Sequence, residues 1–235
     1  MSNGPPESSL RRTAAAERAG EIPYRVRRIA RSRRVKVRVD PQHGVEVLLP
    51  LRAPLRAAQD AVAELAPWIE RQLAELAGAR ERLSPPGTLP YLDERLTVVA
   101  QPGRTRAHRS GGTLLVPDGE DGLVAIERWY RRAARREIAT RLDCACAIAG
   151  TPYRSLTIRN QRTRWGSCAS GGALSFNWRL VLAPERVLDY VVWHEVCHLR
   201  RADHSPAFWA LLDAHCPGWR GAARWLRENG NALVL

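Results

Sequence analysis

Polar and apolar side chains alternate from Tyr24 to Ala30, with a break at Arg28, and again from Arg34 to Pro50, where Val35, Val37 and Val39 are followed by Val45, Val47 and Leu49. A period of two belongs to strands with one buried face. Pro41-Gln42-His43-Gly44 between the last two runs predicts a hairpin whose other face is wet and rich in arginine. From Pro54 to Leu83 the period changes to three and four, through Ala58, Val62, Leu65, Ile69, Leu73 and Leu76. That pattern predicts a long amphipathic helix, kinked or divided at Pro67. Residues 84–118 are rich in Pro and Gly and alternate briefly at Leu96–Val99 and Thr113–Val116, so short strands are expected there.

Helical spacing returns from Glu120 to Ala149 and stops at Gly150. Leu156–Arg159 and Ala173–Leu182 read as strands around a loop, Asn160–Gly172. Pro184 opens a helix over 185–200 that turns Val187, Leu188, Val191 and Val192 to the core. Ser205-Pro206 is a cap and first-turn pair for a helix to about His215, and Pro217 opens a last helix to Asn229. No repeat is visible in the sequence. These elements predict an α+β protein with a tail over residues 1–20, a β-rich part with a long helix over 21–118, and a core over 119–235.

Composition narrows the class. Of 235 residues, 45% are hydrophobic and 26% charged, which suits a globular protein and excludes disorder, collagen and coiled coil as whole-chain descriptions. No window approaches a membrane span, so no membrane partner is expected. The first twenty residues carry a twin arginine without an apolar run behind it, and read as a disordered tail, not a signal peptide. Five cysteines at irregular spacing point to a reducing cytoplasm. The formal net charge is +13, and Lys36 is the only lysine. Residues 21–49 hold eight basic against three acidic side chains, and 151–183 hold five against none. Arginine offers a planar fork of donors, so an anionic ligand such as a nucleotide or nucleic acid is a candidate partner for these strands. A chain-wide preference for arginine gives the same excess.

The chemistry lies in His194-Glu195-Val196-Cys197-His198. On a helix, residues four apart share a face, so His194 and His198 can present imidazole nitrogens to one ion, with Glu195 beside it. Zinc held by three protein groups keeps a position for water and lowers the pKa of that water to about 7, and Glu195 can take its proton. A third ligand is required. His204 is the nearest candidate; His215, Asp213 and Glu228 compete. Half of the six histidines fall within eleven residues, which weighs against two surface histidines paired by chance. The His198 to His204 spacing equals that of metzincins, but Arg201 stands where their turn glycine would be and Met1 is the only methionine, so the chain is not one of them.

Further motifs surround this one: Arg164-Trp165-Gly166-Ser167-Cys168, Asn177 to Pro184 (NWRLVLAP), Tyr190-Val191-Val192-Trp193 before the histidines, and His204-Ser205-Pro206-Ala207-Phe208-Trp209. Together they resemble the YgjP-like proteins, relatives of the SprT-type zinc metallopeptidases, over most of residues 21–235 and most tightly over 158–229. The resemblance implies one unit over 21–235 and a minimal zincin-like metallopeptidase core, with its histidine-bearing helix beside a small antiparallel sheet, preceded by an N-terminal β-hairpin and long helix. It implies His194, His198 and His204 as ligands of one zinc ion and Glu195 as catalytic acid and base; it supports hydrolase chemistry better than it names a substrate, and a peptide or protein is the first expectation. The strand Ala173–Leu182 would then border the cleft and pair with substrate backbone. Arg162, Arg164, Trp165 and Asn177 are the candidate substrate-binding residues, with Arg162, Arg164 and Tyr190 as candidate oxyanion donors. Two rival functions stand beside the metallopeptidase: a zinc hydrolase of nucleotides or other phosphorylated substrates held by Arg162 or Arg164, and a nucleic-acid-associated protein with a basic sheet.

Overall fold

The alternating runs form strands, but their pairing is less local than a hairpin. The computed structural model describes residues 17–19, 22–30, 32–41, 43–161 and 164–235, the first three by backbone alone. The expected tail, residues 1–20, lies outside the described residues except for Glu17–Ala19, whose backbone is a strand. The chain divides into two compact units, residues 1–78 and 79–235. No break falls at the expected 118/119, because Leu96 and Leu114 share a core with the helix that follows.

In the first unit, β1 (Glu17–Ala19), β2 (Ile22–Ile29), β3 (Lys36–Asp40) and β4 (Gly44–Pro50) form a sheet in the order β1-β2-β4-β3. β3 and β4 are the expected hairpin, whereas β2 lies parallel to β4. Tyr24, Val26, Val45, Val47 and Leu49 bury one face against Ala58, Val62 and Ile69 of helices α1 (Arg56–Glu64) and α2 (Ala66–Leu83). The expected long helix is divided at Leu65. Pro67 then falls in the first turn of α2, where a missing N–H costs no helical bond. On the wet face, register aligns Arg25 and Arg38 with Glu46. Glu46 pairs with Arg38 and, at 3.2 Å, with Arg27, so one carboxylate ties up two of the arginines of this face.

The second unit opens with β5 (Thr88–Tyr91), β6 (Glu94–Ala100), β7 (His108–Ser110) and β8 (Thr113–Val116), ordered β5-β6-β8-β7. Strand order and directions copy those of the first sheet, including one parallel pair, β6 with β8. The repeat is invisible in sequence because a period-two pattern specifies which face is buried and not which side chains bury it. α3 (Asp121–Ala149) follows, and Gly150 ends it at φ 61 in the left-handed region. Ile126, Tyr130, Ala134, Ile138 and Leu142 turn its buried face to the core.

β9 (Ser155–Arg159), β10 (Gly166–Cys168) and β11 (Ala173–Asn177) form a three-stranded sheet in the order β10-β11-β9. The sheet is mixed and not antiparallel as expected, since β11 runs parallel to β9. The strand expected over 173–182 ends at Asn177. Trp178–Leu182 wind into a 3₁₀ turn, started by the Asn177 side chain accepting the Arg179 N–H. α4 (Glu185–Arg200), α5 (Pro206–His215) and α6 (Trp219–Asn229) complete the unit. Val187, Leu188, Val191 and Val192 of α4 pack into the same core as α3, Leu174, Phe176 and Trp178.

Candidate metal centre

Anchoring one stripe of α4 in the core decides where its neighbours point. Glu195 and Val196 continue the buried stripe, and His194 and His198 stand one turn apart beside it. Beyond Arg200 the backbone becomes extended at Arg201, whose carbonyl faces the His198 ring 3.1 Å from Nδ1. A carbonyl only accepts, so Nδ1 carries the hydrogen and Nε2 keeps a free lone pair. The chain then turns back before Ser205 and Pro206 start α5, and the turn returns His204 to the pair. The Ser205 hydroxyl does not cap α5; it donates to Asp203 at 3.0 Å.

The three imidazoles converge. His194 Nε2 lies 3.2 Å from His198 Nε2 and 3.2 Å from His204 Nε2. Nitrogens placed tetrahedrally at about 2.0–2.1 Å from one zinc ion are roughly 3.3 Å apart, so the donor set fits the ion. Phe208, fully buried, packs under all three rings at 5.1, 4.6 and 4.8 Å between centroids, and Trp209 stacks on His204. Burial pushes the His194 pKa down to about 4, with the other two rings adding to the effect, and burial also lowers that of His198. Both stay neutral near pH 7, as ligands must.

Glu195 is 5% exposed. Burial raises its pKa to about 7 against the opposing charge of Arg164. Its side chain lies against Gly166 of β10, where an added Cβ would stand 2.7 Å from Cγ and 2.8 Å from Cδ. A cavity of about 220 Å³ opens beside it, lined by Arg164, Trp165, Gly166, Tyr190, Val191, His194, Glu195 and Leu226.

A family model described as "YgjP-like, metallopeptidase domain" matches residues 33–229. The chain belongs to the YgjP-like metallopeptidase family. Membership makes it a metal-dependent hydrolase and implies a divalent ion, for which the histidine triad is the grouping of ligand atoms among the described residues, all within 4.8 Å of one another. This metallopeptidase is also similar to the crystal structure of the metallopeptidase zymogen of Pyrococcus abyssi abylysin, at 20% identity and a TM-score of 0.37 over 41% of this chain and 99% of the other. A search of curated proteins finds no match.

The competing ligands of the YgjP-like chain are engaged elsewhere. His215 stacks on Trp193 at 4.6 Å, and Asp213 accepts from Arg220 at 2.7 Å and from Trp219 at 2.8 Å. Glu228 is exposed on α6, and Cys197 is buried with Phe208 and Leu212 as a small apolar group. Among the proposed substrate residues, Arg164 and Trp165 line the cavity and Arg162 lies outside the described residues. Asn177 is a correction. It is 3% exposed and away from the cavity lining; its Nδ2 donates to the Gln161 carbonyl at 2.7 Å and its backbone N–H to the Trp165 carbonyl at 2.8 Å. Together with Arg179, which holds the Asn160 side chain, it anchors Asn160, Gln161 and Trp165. The expected edge strand is corrected too. β11 is paired on both sides, and the strand that borders the site with an open edge is β10.

Two consequences are measurable. Asn177→Ala leaves the Gln161 carbonyl and the Arg179 N–H without their partner, at a cost of about 1–3 kcal/mol. Thermal unfolding should register that loss, and an unchanged midpoint would show the anchor to be idle. In chelated protein, the folded state holds the Glu195 proton up to about pH 7, while the unfolded chain releases it near 4.5. Stability from this group is therefore present below pH 4.5 and lost as pH rises towards 7. Glu195→Gln removes the dependence, so its stability relative to the parent should be larger at pH 8 than at pH 5 in denaturant titrations. His194 acts in the opposite sense, losing stability as pH falls from 6.5 towards 4, and cancels in this comparison.

Proposed function

We propose that this chain is a zinc-dependent peptidase with a zincin-like core, His194, His198 and His204 as its metal ligands and Glu195 as its general base. The observation that carries the reading is the convergence of three imidazole Nε2 atoms beside one buried carboxyl group. Zinc bound there supplies Lewis acidity and makes water a nucleophile near neutral pH. Glu195 moves the protons. Its carboxylate takes one from the attacking water as oxygen bonds to the peptide carbonyl carbon, and returns it to the nitrogen as the C–N bond breaks. Tyr190, which lines the cavity, is the donor this reading assigns to the oxygen that gains charge. The open edge of β10 offers backbone groups to an extended peptide, a mode of binding that reads little sequence. Five unpaired thiols fit the cytoplasm as the place of action, and no helix of the described residues is long and apolar enough to cross a membrane.

The cavity walls favour a peptide over a nucleotide. Trp165, Tyr190, Val191 and Leu226 are aromatic or aliphatic, and Arg164 is the one guanidinium among the described lining residues. A basic sheet for nucleic acid is weakened by Glu46, which pairs with both Arg27 and Arg38. Metal analysis followed by incubation of the zinc-loaded protein with a peptide mixture and with nucleotides tests the reading. New amino termini, seen by mass spectrometry and absent with His194→Ala, are the expected outcome. Phosphate release with the peptides intact would overturn it.

A further inference from the structure

Arg164 is exposed at the cavity mouth, and among the described residues no carboxylate pairs with it. Neighbouring elements treat their arginines differently. Arg141 is held by Glu137, Glu185 and Asp189, Arg131 by Glu127, and Arg220 by Asp213. Glu195, the carboxyl group that feels the Arg164 charge, makes no ion pair with it. The residue after Arg164 is anchored from behind, where the Trp165 carbonyl accepts the Asn177 N–H at 2.8 Å. Trp165, Tyr190, Val191 and Leu226 line the cavity with Arg164 and offer apolar surface to an amino-acid side chain.

From this arrangement we infer that Arg164 is a specificity-determining residue that selects peptides bearing a carboxylate within one residue of the bond to be cut. The fork of guanidinium donors matches a carboxylate in two parallel bonds and matches an amide poorly. The carboxylate is that of an Asp or Glu side chain or of a free chain end; the chemistry is the same. The inference rests on the peptidase reading for its orientation in the site, but its test does not need turnover.

The test uses zinc-loaded Glu195→Gln protein, which binds peptides without processing them, and calorimetric titration with matched short peptides: internal Glu, internal Gln, free carboxyl end and amidated end. Binding of one or both carboxylate peptides should exceed that of its amide counterpart by on the order of tenfold, the size expected of a charge-assisted pair at a partly exposed site. The internal and terminal arms identify the source. Adding Arg164→Gln should bring the ratio to about one, and Arg164→Glu should turn it over, so that a Lys peptide binds better than a Glu peptide. A ratio near one before Arg164 is changed, a ratio that survives Arg164→Gln because the carboxylate sits on the ion, or no binding by any peptide overturns the inference. Selective binding by the Glu195→Gln protein without cleavage by the parent would leave the carboxylate site standing and remove the peptidase reading; cleavage without selectivity would do the reverse.

Discussion

Glu195→Gln should lower kcat/KM for peptide hydrolysis by about 10²–10⁴-fold, the usual contribution of a positioned acid–base group, while zinc content stays that of the parent. The substitution is close to isosteric, so it keeps the contact with Gly166 and the buried position on α4. What it removes is a site that can gain and lose a proton. The carboxyl group is suited to that exchange because burial raises its proton affinity towards neutral pH and the Arg164 charge restrains the rise. Two of the histidine rings do not depend on it, since the His198 tautomer is set by the Arg201 carbonyl and burial keeps His194 neutral. Paired measurements of turnover and of metal per chain therefore separate the base from the ligands. Full activity in a zinc-replete glutamine variant would move the base elsewhere.

The parts of this site legible in the sequence are those that a single helix specifies. The i, i+4 histidines, the apolar stripe of Val187, Leu188, Val191 and Val192, and the stop at Gly150 on α3 follow from period and from local backbone preference. His204 was within reach because Ser205-Pro206 marks where the chain resumes a helix, although the hydroxyl turned out to serve Asp203. Long-range pairing was not legible. Parallel β2 on β4, its copy in β6 on β8, and the choice of β10 over β11 as edge strand depend on which strands meet, and alternation carries no such information. Asn177 misled for a related reason. It stands within the motif Asn177 to Pro184 as a candidate substrate residue, but here it closes a turn and bonds the Gln161 carbonyl. Gly166 lies in a segment that reads as a loop, and only its place in β10 makes it a glycine in a short strand, which marks close approach by another group. The approaching group was 29 positions away, and only the fold identifies it as Glu195.

Gly166→Ala should keep the fold and the zinc and still cost about 10²-fold in kcat/KM, the scale of an ångström-sized misplacement of a reacting group. Gly166 has an ordinary strand backbone, paired in register with Phe176, so alanine brings no conformational strain of its own. The conflict is steric. A methyl group there would stand 2.7 Å from Cγ and 2.8 Å from Cδ of Glu195, and closer still to Oε1. Something must move, and the neighbours differ in their freedom. α4 is fixed by Val191, Val192 and Val196 in the core, and β10 is fixed by its ladder to β11. The glutamate side chain is the remaining mobile part, and because Cγ is itself crowded, a small tilt of the carboxylate does not relieve the contact. The whole side chain must change rotamer and leave its place beside His194. Because the loss acts through Glu195, it should vanish when the base is already gone: Gly166→Ala added to Glu195→Gln should lower the residual rate no further, a non-additivity expected only of residues that act through one another. Independent, multiplying losses in that cycle would mean that Gly166 serves the substrate or the strand edge and not the carboxylate.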